Sequence, residues 1–184
     1  MKKILISLLL FGWCFAQLSH ESSSVTTLDH FQSAINSGNA FKVANIVTLG
    51  NTDTAIVVFD VADTSKYSHM QWGFSSSGAM TVEVIEGGAC VRSPDALDIT
   101  NLNGNSSRVS VMDSVYIVNN DSTLVTRYGA DTLFVISIGG VLGGSFNTPL
   151  SYIAMNDSLL MFKMTSGAAT NKIGYVFHWI EEAE

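Results

Sequence analysis

The sequence has 184 residues, of which 47% are hydrophobic and only 14% charged, so the chain can build a sizeable core and is not intrinsically disordered. Sixteen acidic residues against nine basic ones give a net charge of −7 without any basic stripe, which argues against direct nucleic-acid binding. The low proline content, the frequent glycines and the short alternating apolar runs predict an all-β domain.

The first 16 residues have the pattern of a secretory signal peptide. Lys2 and Lys3 precede an apolar run from Ile4 to Ala16, which is too short for a transmembrane helix. We therefore expect residues 1–16 to form a signal-like hydrophobic segment that is either cleaved or retained. Cleavage would leave Cys90 as the single cysteine, so the fold would depend on its core and not on an intrachain disulfide. A free cysteine is typically a small buried hydrophobe, and a reactive thiol is the alternative.

Residues 17–40 are predicted to be a lead-in to the domain with one short helix. Leu28, Phe31 and Ile35 have the spacing of one helical face, and Ser37-Gly38-Asn39 predicts the end of that helix.

Residues 41–184 are predicted to form a single β-sandwich domain. Phe41 to Leu49 is predicted as its first strand. The next strand is apolar on both faces, which predicts a central strand covered on both sides: Ala55, Val57, Phe59 and Val61 on one face, Ile56 and Val58 on the other.

Lys66 to Gly87 is predicted to be a β-hairpin, because two alternating runs flank the turn-forming residues Ser75 to Gly78. Hairpin register would place Phe74 opposite Met80 or offset by an even step. The inward residues share a period of two: Met70, Trp72 and Phe74 in the first run, Met80, Val82 and Val84 in the second.

The middle of the chain is predicted to supply further strands. Thr123 to Arg127 is a short strand after a turn, and Leu133 to Ile138 is a buried strand that ends in the glycines from Gly139 to Gly144. Another strand face is interrupted by Asp113: Val109, Val111, Val115 and Ile117.

The last two strands are predicted to form a second hairpin. Pairing Thr165 with Lys172 would place Met164 opposite Ile173 and Phe162 opposite Tyr175. Eight or more strands with loops of varied length predict a two-sheet, jelly-roll-like β-sandwich with a short N-terminal helix.

The residues that could carry chemistry are better explained as structural. His69 and His178 fall on outward strand positions and lack further ligands at metal-binding spacing. Trp72 and Trp179 fall on inward faces, which favours core packing over a sugar-binding platform. Asn and Asp clusters make turns, although their oxygens could also bind calcium: Asn51/Asp53, Asn119 to Asp121 and Asn156/Asp157.

Motifs of catalysis are likewise missing from the sequence. Glu83 and Glu86 fall on opposite strand faces and cannot act as a carboxylate pair. Gly139 to Gly144 has no Lys-Ser/Thr of a phosphate-binding loop, and no Gly-x-Ser-x-Gly elbow is present. We therefore predict no enzyme activity, no catalytic or metal-binding residues and no cofactor.

Five parts of the chain resemble, in order and spacing, the motifs of one protein family. Asp29 to Phe41 resembles "His-Glu-Ile-His-x-Gly-x-x-Phe", and Lys66 to Met70 with Val82 to Gly87 resembles "Trp-x-His-x…Leu-x-Val-Tyr-Glu-Gly". Asn101 to Ser106 stands where the family has "Asn-Arg-Asn-Arg". Asn156 to Thr165 resembles "Asn-Thr-x-Tyr-Leu-Leu-Arg-Ile-Thr-Asn", and Phe177 to Glu181 resembles "Phe-Asp-Trp-Tyr-Glu".

From Leu28 to Glu182 the chain thereby resembles capsid-associated virion proteins of tailed phages, of the decoration or auxiliary head type. The resemblance implies a structural protein in the virion that binds the major capsid protein in many copies and forms a homo-oligomer, for which a trimer is one option. Neither nucleic acid nor a small-molecule substrate is expected as a partner. Edge strands and the long loops, Gly87 to Ser107 and Gly139 to Pro149, are the expected contact surfaces. The signal-like N-terminus suggests the alternative of a secreted or surface-displayed adhesion module.

Overall fold

The computed structural model of the chain describes residues 31–61, 66–87, 89–90, 95–119, 125–126, 131–139, 144–147, 152–154 and 158–183. Within these ranges residues 31–37 are helical, and the remaining regular structure is β-strand. The strands are β1 (Ala40–Leu49), β2 (Thr54–Val61), β3 (Lys66–Ser76), β4 (Met80–Glu86), β5 (Ala89–Cys90), β6 (Thr100–Asn101), β7 (Met112–Asn119), β8 (Val125–Thr126), β9 (Asp131–Ile138), β10 (Gly144–Asn147), β11 (Tyr152–Ala154), β12 (Ser158–Ser166) and β13 (Asn171–Ala183).

The described strands form two antiparallel sheets that pack face to face. Sheet A has the order β10-β3-β13-β1-β6, with β11 pairing β3 on the same side as β10, and sheet B has the order β7-β2-β12-β4-β9. Strands β5 and β8 make a separate short pair. The order β1-β13-β3-β10 facing β2-β12-β4-β9 is that of a jelly roll, which confirms the predicted two-sheet sandwich.

The core between the sheets is dominated by aromatic side chains. Phe162 on β12 is fully buried at its centre, with ring centroids 5.0 Å from Trp72 and 4.6 Å from Phe177. Phe59 on β2 packs edge-on against Phe177 at 4.8 Å and Phe162 at 5.8 Å. These edge-to-face contacts join inward residues of both sheets into one cluster.

Both predicted hairpins are wrong in their pairing, although their inward faces are right. Strand β3 lies in sheet A and β4 in sheet B, and β12 and β13 are separated in the same way. Phe162 pairs with Val57 and Val84 within sheet B, whereas Tyr175 pairs with Phe74 within sheet A. Alternation shows which side chains face the core, but it cannot distinguish neighbours in one sheet from strands that face each other across the core.

The two chain crossings between the sheets meet at Asn171, which is fully buried. The Gly78 N–H donates to Asn171 Oδ1 at 2.9 Å, and Asn171 Nδ2 donates to the Ala79 carbonyl at 2.9 Å. The Gly167 N–H donates to the same carbonyl at 2.8 Å. A Cβ on Gly78 would lie 2.7 Å from the Cβ of Ala168, so only glycine allows this close approach.

The predicted helix end and the first two strands are confirmed. Gly38 has a φ of +74°, and the Asn39 N–H donates to the Ala34 carbonyl at 2.8 Å, as in a Schellman cap. Strand β2 is central in sheet B, and Ile56 and Val58 lie in a second buried cluster on the outer face of that sheet.

Two predicted strand faces need correction. Val109 is 85% exposed and precedes β7, so it does not share the inward face of Val115 and Ile117. The stretch from Leu133 to Ile138 lies in β9, an edge strand of sheet B on which Phe134 is 49% exposed.

In the described part of the chain no helix is long and apolar enough to cross a membrane.

Several predictions fall outside the described residues. They include the signal-like segment 1–16, most of the lead-in, and parts of the predicted turns and loops: Leu28, Asn120, Asp121, Thr123, Asn156, Asp157 and the glycine-containing stretch 140–143.

Candidate interaction surface

The two histidines singled out in the sequence lie on the outer face of sheet A, as predicted. His69 Nε2 is 3.5 Å from a Glu182 carboxylate oxygen, and His178 lies opposite Lys42 on β1 and Gln71 on β3. Partial burial lowers the pKa of His178, and the neighbouring Lys42 charge lowers it further. Among the described residues no group of three His, Cys, Asp or Glu side chains could hold a metal ion.

The lowered pKa of His178 predicts a pH-dependent stability. Below the ordinary histidine pKa of about 6.5 the unfolded chain takes up a proton at this position more readily than the folded chain, so stability falls as the pH falls. We expect urea midpoints measured between about pH 7.5 and 5 to decline less steeply in His178→Gln than in the native protein. Identical slopes would contradict this assignment.

Trp72 and Trp179 are buried in the core, which leaves neither indole available as a sugar-binding platform. Glu83 and Glu86 project from opposite faces of β4, as predicted. Glu83 pairs with Lys163 at 2.6 Å on the outer face of sheet B. Glu86 accepts a hydrogen bond from the Tyr152 hydroxyl at 2.6 Å, and burial together with this carboxylate raises the pKa of Tyr152. The two carboxylates therefore serve separate structural contacts.

A buried polar cluster around Glu181 has no signal in the sequence. Glu181 Oε1 accepts hydrogen bonds from the Ser110 hydroxyl at 2.6 Å, the Val111 N–H at 2.9 Å and the Trp179 indole N–H at 3.1 Å. Glu181 is only 2% exposed. Because Ser110 and Val111 lie about 70 positions earlier in the sequence, only the folded topology brings them to Glu181. These hydrogen bonds connect β13 with the segment that precedes β7.

The described parts of the two predicted contact loops lie against the domain. From residue 95 onward the first loop is docked on the domain: Leu97 and Ile99 pack against the core, and the Leu102 N–H donates to the Ala40 carbonyl at 2.8 Å. In the second loop, residues 144–147 form β10 and pair with β3 at the edge of sheet A.

One side of the sandwich carries an apolar rim, which consists of Phe134 and Val135 on β9 with Tyr152 and Ile153 on β11. The ring centroids of Phe134 and Tyr152 are 6.4 Å apart, so the edges of the two sheets meet here. Val135 is 62% exposed beside Glu83 on the outer face of sheet B, whereas Ile153 is 50% exposed beside His69 on the outer face of sheet A. The rim therefore runs around this edge of the sandwich, with Phe134 and Tyr152 between the sheets and one exposed apolar side chain on each outer face.

The outer face of sheet A has a shallow groove of about 680 Å³ near β1. Its floor is backbone, because Gly174 lies opposite Ser75, and Gly73 lies opposite Val176 on the neighbouring strand. Ile46 on β1 stands at one wall and is 70% exposed. The groove lacks charged lining residues and therefore favours an apolar or backbone contact.

Comparison of the sequence with known protein families and with curated proteins finds no significant match.

Proposed function

We propose that the chain is a structural virion protein of a tailed phage, which binds the outside of the capsid in many copies and reinforces it. The observation that carries the proposal is the jelly-roll topology with an apolar rim where the two sheet edges meet. Jelly rolls are common among viral capsid and lectin domains, so the fold supports the proposal by analogy.

Two of the family-like segments contact each other in the fold. Asn103 Nδ2 donates to the Asn36 carbonyl at 3.0 Å, and Asn101 Nδ2 donates to the Gly38 carbonyl at 2.9 Å. The Asn-rich loop thus holds the end of the N-terminal helix, although the two segments are far apart in sequence. The two segments therefore form one local structural unit of the fold.

The apolar rim is the surface we assign to the major capsid protein. Its exposed side chains come from strands, so they are held in fixed positions that suit a repeated, ordered partner. Each contact is small, but a homo-oligomer that engages several capsomers at once gains affinity through multivalency. Reinforcement would then follow from linking neighbouring capsomers without any chemical step.

Replacing Phe134 with aspartate is expected to lower capsid occupancy by at least about tenfold, because a charge at the centre of an apolar contact must be desolvated. Val109→Asp is the matched control, since Val109 is 85% exposed in the segment after β6 and outside the rim. Occupancy is measured by cosedimentation with capsids that lack the protein. Equal binding of both variants would place the contact elsewhere.

A second candidate is a secreted adhesion module, which the signal-like segment from Ile4 to Ala16 favours. Mass spectrometry of purified particles and of culture medium separates the two. The virion proposal predicts many copies in the particles and lower heat resistance of particles that lack the protein. A chain that begins after residue 16 and occurs only in the medium would instead support adhesion.

A further inference from the structure

Among the described strands, β1 has no neighbour along most of one edge of sheet A. It pairs with β13 along its whole length, from Ala40 to Leu49, but β6 covers only Phe41 and Lys42 on its other side. From Val43 to Leu49 no other described strand lies beside it. Ile46, in the middle of this window, is 70% exposed. We call residues 43–49 the open edge.

The backbone of the open edge alternates in direction. The Glu181 N–H donates to the Asn39 carbonyl, whereas the Ala40 carbonyl accepts from Leu102 on the opposite side. Residues with even numbers therefore point their backbone groups away from β13, and these include Ala44, Ile46 and Thr48. The Ile46 N–H donates to its neighbour Asn45 Oδ1 at 2.8 Å, so a side chain fills the position that a partner strand would take.

The sequence of the open edge has none of the features that usually prevent an edge strand from pairing with another chain. Edge strands usually carry a charge, a proline or a bulge that prevents pairing with another chain. Residues 43–49 contain neither a charged residue nor a proline, and their pairing with β13 is uninterrupted. An uncharged strand can lie against an identical strand without repulsion, which makes a second copy of this chain the best-matched occupant.

We propose that two copies of the chain pair their open edges antiparallel about Ile46 and so form a two-fold dimer with one continuous sheet. Ile46 would lie opposite its counterpart, and Ala44 opposite Thr48 of the second copy, with up to about six backbone hydrogen bonds in the seam. The seam would end at Ala44 and Thr48, because β6 already lies beside Lys42 and β1 ends at Leu49. The inference identifies a contact between copies and does not depend on capsid binding.

The dimer is expected to be weak, because pairing of seven residues buries little surface and displaces the Asn45 side chain from the Ile46 N–H. We expect a dissociation constant on the order of 100 µM, measurable by sedimentation equilibrium of the full chain. On a capsid, where copies are held close together, this affinity would suffice to join neighbours.

Sedimentation equilibrium of two matched variants tests the location of the contact. Ile46→Lys places like charges directly opposite each other and is expected to weaken dimerisation by at least about tenfold. Ile153→Lys makes the same change at the other edge of sheet A, where the side chain is 50% exposed, and should dimerise like the native chain. A native chain that stays monomeric at about 1 mM, or loss of the dimer in Ile153→Lys alone, would overturn the proposal.

Disulfide trapping tests the register in a Cys14→Ser, Cys90→Ser background. The Cα atoms of opposite hydrogen-bonded residues are about 5.5 Å apart, within disulfide range, so Ile46→Cys should crosslink under mild oxidation. Ala44→Cys should not, since its counterpart lies four residues away along the strand, or about 13 Å. Crosslinking of Ala44→Cys in preference to Ile46→Cys would contradict pairing about Ile46, as would trapping of neither variant at concentrations where the native chain dimerises.

Discussion

Replacing Phe162 with alanine is expected to lower the free energy of unfolding by about 3–5 kcal/mol. Phe162 has no exposed surface, and its ring contacts Phe59, Trp72 and Phe177 from both sheets. Alanine would leave a cavity that strands on both sides cannot close, because each is fixed by hydrogen bonds to its neighbours. Urea unfolding followed by tryptophan fluorescence measures the loss.

Phe134→Ala provides the control for this prediction. Phe134 is 49% exposed on the edge strand β9, so its truncation should cost about 1 kcal/mol or less. Similar losses in the two variants would show that Phe162 does not occupy the centre of the core.

Replacing Glu181 with alanine is expected to lower the free energy of unfolding by about 2–4 kcal/mol. Its Oε1 accepts hydrogen bonds from Ser110, Val111 and Trp179, and all three donors would lose this acceptor in a largely dry environment. The loss should appear in urea unfolding. Amide exchange at Val111 should also accelerate, because the hydrogen bond from the Val111 N–H to Glu181 connects β13 with the segment that precedes β7.

Two further variants define what Glu181 contributes. Glu181→Gln keeps one acceptor oxygen and should lose less stability than Glu181→Ala. Glu182→Ala removes the next carboxylate, which faces the outer surface near His69, and should change stability by about 1 kcal/mol or less. If all three variants behave alike, the buried cluster does not support the fold.

The inward faces of the strands were predictable from the sequence, but the partners of the strands were not. Phe162 and Tyr175 both point inward, as the alternation predicted, yet they belong to different sheets. Short loops at Ser77 to Ala79 and near Gly167 connect strands across the sandwich where an in-sheet hairpin was expected. Local pattern and loop length are compatible with both arrangements, and only packing of the whole core selects between them.

The candidate contact surfaces could not be predicted from the local sequence pattern either. The apolar sequence from Leu133 to Ile138 predicted a buried strand, because a continuous apolar run is typical of one. In the fold this strand is the outermost of sheet B, so Phe134 and Val135 become part of the apolar rim. Ile46 is exposed because it faces the outer side of sheet A opposite Gly174, which has no side chain to cover it. Exposure at an edge is decided by which strand ends the sheet.

Saturation binding to capsids is the most direct test of the proposed role. Purified protein is added to particles of the phage that the proposal implies, from which this protein has been removed, and bound copies are counted by quantitative mass spectrometry. We predict saturation at a fixed, high number of copies per particle. An absence of saturable binding, or only a few copies per particle, would contradict a capsid-reinforcing function.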